Sequence, residues 1–238
     1  MEKQLKPPES AKTEKKEERM AKYVILQRHG AHGNGVDYPK NALQLKDFEL
    51  LRSLGKQLFQ VGLKIVGQKP SPAGRAVETG VRTLSGYAAE QLDKTGKGEV
   101  PPTVGTEYRI CDSAIDPRFA AVIDKVVKTS KEKYGSASDR NLALVLQEQE
   151  YHGLMLARAE EGAQAVCEAA GALNDGEAVL MPSHGVAMIE IVLRYLKGMR
   201  GEQVLDIADE IIENCGVRIV VFENDKVSGI YTLDTFPG

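Results

Sequence analysis

Tyr23-Val24-Ile25-Leu26-Gln27-Arg28-His29-Gly30 is the stretch on which the fold turns. Its apolar half is short, rich in β-branched residues and free of polar alternation, so it reads as a strand buried on both faces. Its polar half sets an arginine and a histidine where that strand stops, followed by a glycine.

The same pattern repeats along the chain. After a Gly/Asn-rich loop (Gly30 to Asn41), Phe48, Leu50, Leu51, Leu54, Leu58 and Val61 recur every three or four residues and predict a helix ending at Gly62. Lys64 to Gln68 reads as a strand, broken by Pro70-Ser71-Pro72, and Gly74 to Tyr87 as a helix. A loop from Asp93 leads to a short strand expected within Val104 to Ile110. Helices are expected over 117–134, 139–151 and 156–173, the last being Ala-rich. Ala178-Val179-Leu180-Met181 is another buried strand, followed by Ser183-His184-Gly185 and a helix from Val186 to Leu196. A helix near Glu202 to Glu213 precedes Val217 to Glu223 and Val227 to Leu233, a strand pair joined by the hairpin signal Asn224-Asp225. Strands alternating with helices define an α/β protein: a three-layer α/β/α sandwich, mostly parallel, with an antiparallel edge strand from the closing hairpin.

Composition narrows the function. Of the 238 residues, 31 are Lys or Arg and 34 Asp or Glu, a formal charge of −3. Residues 1–20 hold six basic and five acidic side chains and little apolar surface, so a disordered charged tail is expected there and a single domain over 21–238. A mildly acidic chain with 5% aromatics and no Trp lacks the basic stripe and stacking platforms of nucleic-acid binders. No apolar run is long enough to span a membrane and no secretory signal opens the chain, which predicts a cytoplasmic protein. Cys111, Cys167 and Cys215 have no metal-like spacing and read as reduced structural thiols.

In open α/β sheets ligands bind beyond the carboxyl ends of the strands. Two of the four histidines fall there, His29 and His184, each followed by a glycine that permits positive φ or a close approach of backbone. A third element, Ser71-Pro72-Ala73-Gly74-Arg75-Ala76-Val77-Glu78-Thr79, also follows a strand. It places Arg75 in the first turn of a helix, where a planar guanidinium can reach a phosphate on the same rim.

Arg28-His29-Gly30, Ser71-Pro72-x-x-Arg75-Ala76-x-Glu78-Thr79 and Ser183-His184-Gly185, in that order and with Asn214-Cys215-Gly216-Val217-Arg218-Ile219 before the last hairpin, resemble the histidine phosphatase superfamily, of phosphoglycerate-mutase-like fold and histidine acid phosphatase branch 1 type. The resemblance spans nearly all of residues 22–235. It implies that His29 attacks phosphorus and forms a phosphohistidine, while Arg28, Arg75 and His184 hold the phosphoryl oxygens. For that attack one ring nitrogen of His29 must be unprotonated, which requires the other to donate to a fixed acceptor, expected to be a backbone carbonyl in the Gly30 turn. Glu107 is the best positional match to the family's general acid, with Asp112 as second choice.

The chain departs from the family's mutases after Gly30. Their Ser or Thr and Asn positions hold His32 and Gly35, with Asn34 displaced by one. Asn34 is still expected to reach the phosphate; His32 is balanced between substrate contact and a surface role. His152 reads as structural, and Lys125, Lys128, Lys131 and Lys133 as a solvated helix face. No metal or cofactor is expected. The implied activity is a metal-independent phosphomonoester hydrolase acting on a small phosphorylated substrate or a phosphoprotein. The alternatives are a mutase-like phosphotransferase and a non-catalytic phospholigand-binding protein of the same fold.

Overall fold

In the computed structural model, which describes residues 21–31, 43–111, 116–185, 188–198 and 211–237, the opening strand is longer than its apolar run and sits at the middle of a sheet. β1 (Ala21–Arg28) lies between β3 (Glu177–Ser183) and β4 (Val217–Glu223). β2 (Lys64–Gln68) flanks β3, and β5 (Lys226–Tyr231) flanks β4. β2, β3 and β1 are mutually parallel, whereas β4 runs against β1 and β5 against β4, so the closing hairpin forms the antiparallel edge. Its turn residues Asn224 and Asp225 have φ of 52° and 59°, the left-handed pair that a two-residue hairpin loop demands.

The run without polar alternation is explained by what covers it. Val24 and Leu26, with Val179, Met181, Val220 and Phe222, pack against one helical layer. That layer is built from α4 (Ile123–Tyr134), α5 (Asp139–Leu146), α6 (His152–Gly171) and α7 (Ile189–Leu196). Ile25, Leu180 and Ile219 face the other layer, where Leu54 and Leu58 of α1 (Lys46–Gln60) meet Leu84 and Tyr87 of α2 (Gly74–Thr95). Each such side chain, fully buried, contributes roughly 1.5–3 kcal/mol, which makes strand register costly to change.

α1 and α2 touch almost backbone to backbone. A Cβ on Gly55 would lie 1.9 Å from the carbonyl oxygen of Thr83, and one on Gly86 2.1 Å from that of Arg52. This seam matters for the site, because both helices start at the carboxyl edge of the sheet.

The helical layer on the α6 side differs locally from expectation. Residues 104–110 are not a strand: Thr103 alone bridges to Gln68, and the Glu107 side chain caps a 3-10 turn at Tyr108–Ile110 by accepting the Arg109 N–H. That local bond to its own backbone competes with sheet pairing. The helix expected over 117–134 is divided into α3 (Pro117–Ala120) and α4, and the one over 139–151 gives way after Leu146 to a 3-10 turn at Gln149–Tyr151. α6 starts at His152 rather than 156. The tail at 1–20 and residues 202–210 of the last expected helix lie outside the described residues, and 211–213 are not helical.

Candidate active site

The three motifs meet at the carboxyl edge of β1, β2 and β3. β1 and β3 are paired Arg28 to Ser183, and the His29 N–H donates to the Ser183 carbonyl at 2.9 Å. This pairing puts His29 and His184 one residue beyond the ends of adjacent strands. Their ring centroids are 5.0 Å apart, inclined at 60°. Arg75, in the first turn of α2, lies between them: its Nε donates to His29 Nε2 at 3.2 Å and its Nη2 to His184 Nδ1 at 3.5 Å.

Because arginine can only donate, these contacts assign the tautomers. His29 Nε2 carries a lone pair, and its Nδ1–H donates to the Gly30 carbonyl at 2.6 Å. His184 Nδ1 likewise accepts, so its Nε2–H donates to Ser71 Oγ at 2.8 Å. Burial, then His29 and the neighbouring cations Arg75, Arg158 and Arg28, push the His184 pKa well below the usual histidine range. Both imidazoles are therefore arranged as neutral rings under an arginine whose own basicity burial lowers.

The glycine after each histidine is required for space rather than for positive φ, since neither lies in the left-handed region. A Cβ on Gly185 would sit 2.6 Å from the Arg28 guanidinium, and one on Gly30 2.8 Å from Asp47 Oδ2. Thr79 joins the first motif to the second, accepting the Gly30 N–H at 3.1 Å while donating to the Arg75 carbonyl at 2.7 Å.

Arg28 is buried beside this cluster with part of its fork occupied. Nη1 donates to the Ile212 carbonyl at 2.6 Å, and Nη2 donates to Asp139 at the start of α5. The Arg28 Nε is buried without a hydrogen-bond partner among the described residues. Arg28 is thus already paired with a carboxylate, a feature that the sequence, read only as a helix over 139–151, did not reveal.

Glu107, expected as proton donor, is held differently. Its backbone N–H donates to the Pro70 carbonyl at 2.8 Å, which sets it beside the second motif. Its carboxylate accepts Arg109 N–H, Nε and Nη2 at 2.8–3.0 Å and pairs with Lys69 Nζ at 3.0 Å. Burial opposes ionisation, but the Arg109 and Lys69 donors outweigh it and bring the pKa down to about 2. As arranged, the Glu107 carboxylate is occupied by donors from Arg109 and Lys69. Asp112, His32 and Asn34 lie outside the described residues.

The remaining candidates are structural. His152 Nε2 bonds the Gln147 carbonyl at 2.9 Å, and Lys125, Lys128 and Lys133 sit in exposed ion pairs with Glu150, Glu132 and Glu148. Burial, followed by Asp47, pushes the Cys215 thiol up to about 12, which removes it as a nucleophile. Among the described residues no group of three or more His, Cys, Asp or Glu side chains could hold a metal ion, and no helix is long and apolar enough to cross a membrane. Sequence reading missed Arg158, buried in α6, whose Nη1 pairs with Asp116 at 2.5 Å and whose Nη2 donates to the Cys111 carbonyl at 2.6 Å. Its only signal was a lone arginine on an otherwise Ala-rich helix.

These groups set an expected acid limb of stability. His184 must be protonated on unfolding, so its contribution is complete above about 6.5, the free-histidine value, and is lost as pH falls below it. Glu107 adds a second limb, present above 4.5 and lost between 4.5 and about 2, worth on the order of 3 kcal/mol. Thermal denaturation at stepped pH should show both, and Glu107→Gln should flatten the lower one. An unchanged lower limb in that variant would assign it to other carboxylates.

No protein-family description matches the chain, and no curated protein matches it in sequence. Solved structures do share its fold. A phosphoglycerate mutase from Bacillus anthracis is 17% identical with a TM-score of 0.54, covering 90% of this chain and 93% of its own. Bacillus stearothermophilus YhfR is 17% identical at 0.53, covering 89% and 95%. A phosphoserine phosphatase from Entamoeba histolytica, solved with 3-phosphoglyceric acid, is 14% identical at 0.51, covering 89% and 95%. At these identities the likeness concerns architecture: the chain has the phosphoglycerate-mutase-like fold.

Proposed function

From that fold and from the two neutral imidazoles bridged by one arginine at its sheet edge, we propose that the chain is a metal-independent phosphomonoester hydrolase of the histidine phosphatase superfamily, turning over through a phosphohistidine on His29. The observation that carries this reading is the bonding of His29. Nδ1–H is committed to the Gly30 carbonyl, and the Nε2 lone pair is held toward Arg75.

When a phosphoryl group enters, its charged oxygens are stronger acceptors than a neutral ring nitrogen. Arg75 then transfers its bond to the phosphate and releases the Nε2 lone pair to attack phosphorus. The P–O ester bond breaks as the P–N bond forms, and the departing alkoxide oxygen takes a proton from solvent water. Water next attacks phosphorus and gives up a proton to solvent, replacing the one taken by the alcohol, while the P–N bond breaks and phosphate leaves with neutral His29 restored. Arg75, Arg28 and His184 face the oxygens on which charge spreads in the loose transition state.

Incubation with an aryl phosphate and excess chelator should release phosphate; a phosphorylated sugar acid returned only as its isomer would indicate a mutase instead. Absence of turnover, with phosphate binding unchanged in His29→Ala, would sink the proposal.

Glu107 separates two versions of the proton step. Bound as it is to Arg109 and Lys69, it acts by anchoring those cations, so Glu107→Gln should slow aryl and alkyl phosphates by similar factors. A much larger loss on the alkyl substrate, whose leaving group needs the proton, would restore Glu107 as the acid.

A further inference from the structure

Asp47, in the first turn of α1, is a buried carboxylate that the steps above do not use. Its Oδ2 accepts the Ala31 N–H at 2.5 Å. That N–H belongs to the same peptide unit as the Gly30 carbonyl, which accepts the His29 Nδ1–H at 2.6 Å. A peptide unit is rigid and planar, and in the trans form its N–H and C=O point in opposite directions. Holding the N–H on one side therefore aims the C=O on the other, toward the imidazole.

The surroundings leave this peptide little freedom. Ala31 is also held through its carbonyl, which accepts the Gln44 N–H at 2.9 Å, and the His29 carbonyl accepts the Cys215 N–H at 3.3 Å. The absent side chain of Gly30 is part of the same device, because a Cβ there would lie 2.8 Å from Asp47 Oδ2 and 3.2 Å from its Cβ. The glycine of the first motif is thus explained by the carboxylate that approaches it.

We infer that Asp47 is a positioning residue for the candidate nucleophile: through the Gly30–Ala31 peptide it fixes the carbonyl that receives Nδ1–H and so keeps the lone pair of His29 on Nε2. A neutral imidazole has two tautomers, and without a fixed acceptor it populates both. The relay selects the one that can attack. A carboxylate also polarises the peptide it accepts from, which strengthens the next bond in the chain. The inference rests on the proposed role of His29 for its kinetic consequence but not for its structural one.

The test uses the full chain labelled with ¹⁵N, with the tautomer of His29 read from its ring-nitrogen shifts. Wild type should show Nδ1 protonated and Nε2 bare. Asp47→Ala should admit a measurable share of the Nε2-protonated tautomer, against the remaining hold of the Arg75 Nε on Nε2, and lower kcat about 10- to 100-fold, the range found when the outer-shell partner of a metal-ligating histidine is removed, with KM little changed. Asp47→Asn, which still offers an oxygen to the Ala31 N–H, should restore the single tautomer and most of kcat. A folded Asp47→Ala protein whose His29 keeps one tautomer and full kcat overturns the inference. If that variant does not fold, wild type decides: scalar coupling between the Ala31 amide and the Asp47 carboxyl carbon supports the relay, and its absence overturns it. A tautomer that follows residue 47 in a protein without phosphatase turnover would uphold the positioning and remove only the proposed activity.

Discussion

Replacing His29 by alanine is expected to abolish phosphate release, by at least about 10⁴-fold, and to eliminate any acid-labile phosphorylated form of the protein. A magnitude of that order follows when the group that forms the covalent intermediate is deleted, because the two-step route then has no phosphorylated form to pass through. Among the described residues the neighbouring imidazole is His184, which is held by Ser71 and Arg75 and sits 5.0 Å away, facing the same space but committed to other bonds. Loss of the side chain frees the Gly30 carbonyl and the Arg75 Nε from their ring partner, so some stability is lost as well. Thermal denaturation must therefore accompany the kinetics, and a variant with near-native melting and no turnover is the informative result. Rapid quench with a ³²P-labelled aryl phosphate should trap label on wild type and none on the variant. Label that persists in His29→Ala, or turnover within tenfold of wild type, would place the covalent step on another residue.

Much of this site was legible before the structure because its residues are adjacent to strand ends. An apolar run stopped by a polar triplet locates a strand terminus, and strand termini in a parallel sheet share one edge. His29, His184 and Arg75 were therefore recoverable from three local patterns. What could not be read is what depends on tertiary contacts between segments distant in the chain. Asp139 contacts Arg28 across 111 positions, Asp116 pairs with Arg158 across 42, and the role of Asp47 arises only because α1 begins beside the Gly30 turn. An acidic residue in the first turn of a helix is ordinarily explained by the helix dipole, and that ordinary explanation concealed it. Glu107 shows the converse: its position in the chain matched expectation, while the charges around it, Lys69 from beyond β2 and Arg109 from the following turn, set a protonation state that position cannot disclose. The overall charge of −3 was a similarly coarse guide, since the candidate pocket is basic through a few buried side chains and not through the surface.

Arg75→Ala should lower kcat about 10²- to 10³-fold, the usual cost of deleting one preorganised donor to a developing oxyanion. The geometry gives a reason for expecting the upper part of that range. Arg75 bonds both imidazoles, so its removal takes a charge from the phosphate and also releases the two rings from a common partner. A second consequence has a definite sign. Arg75 is among the cations that disfavour protonation of His184, after burial and His29; without it, His184 should take up a proton at a higher pH than in wild type, and an NMR titration of its ring should move upward. Arg75→Lys distinguishes charge from shape. An ammonium is a single point of charge, whereas the guanidinium presents Nε to one ring and Nη2 to the other, so lysine should recover part of the electrostatic effect on His184 but little of kcat. If Arg75→Lys instead restored kcat fully, the bridging geometry would be incidental and the charge alone would account for the residue. If Arg75→Ala left both kcat and the His184 titration in place, the arginine would be a structural helix residue, and the candidate site would have to be rebuilt around Arg28.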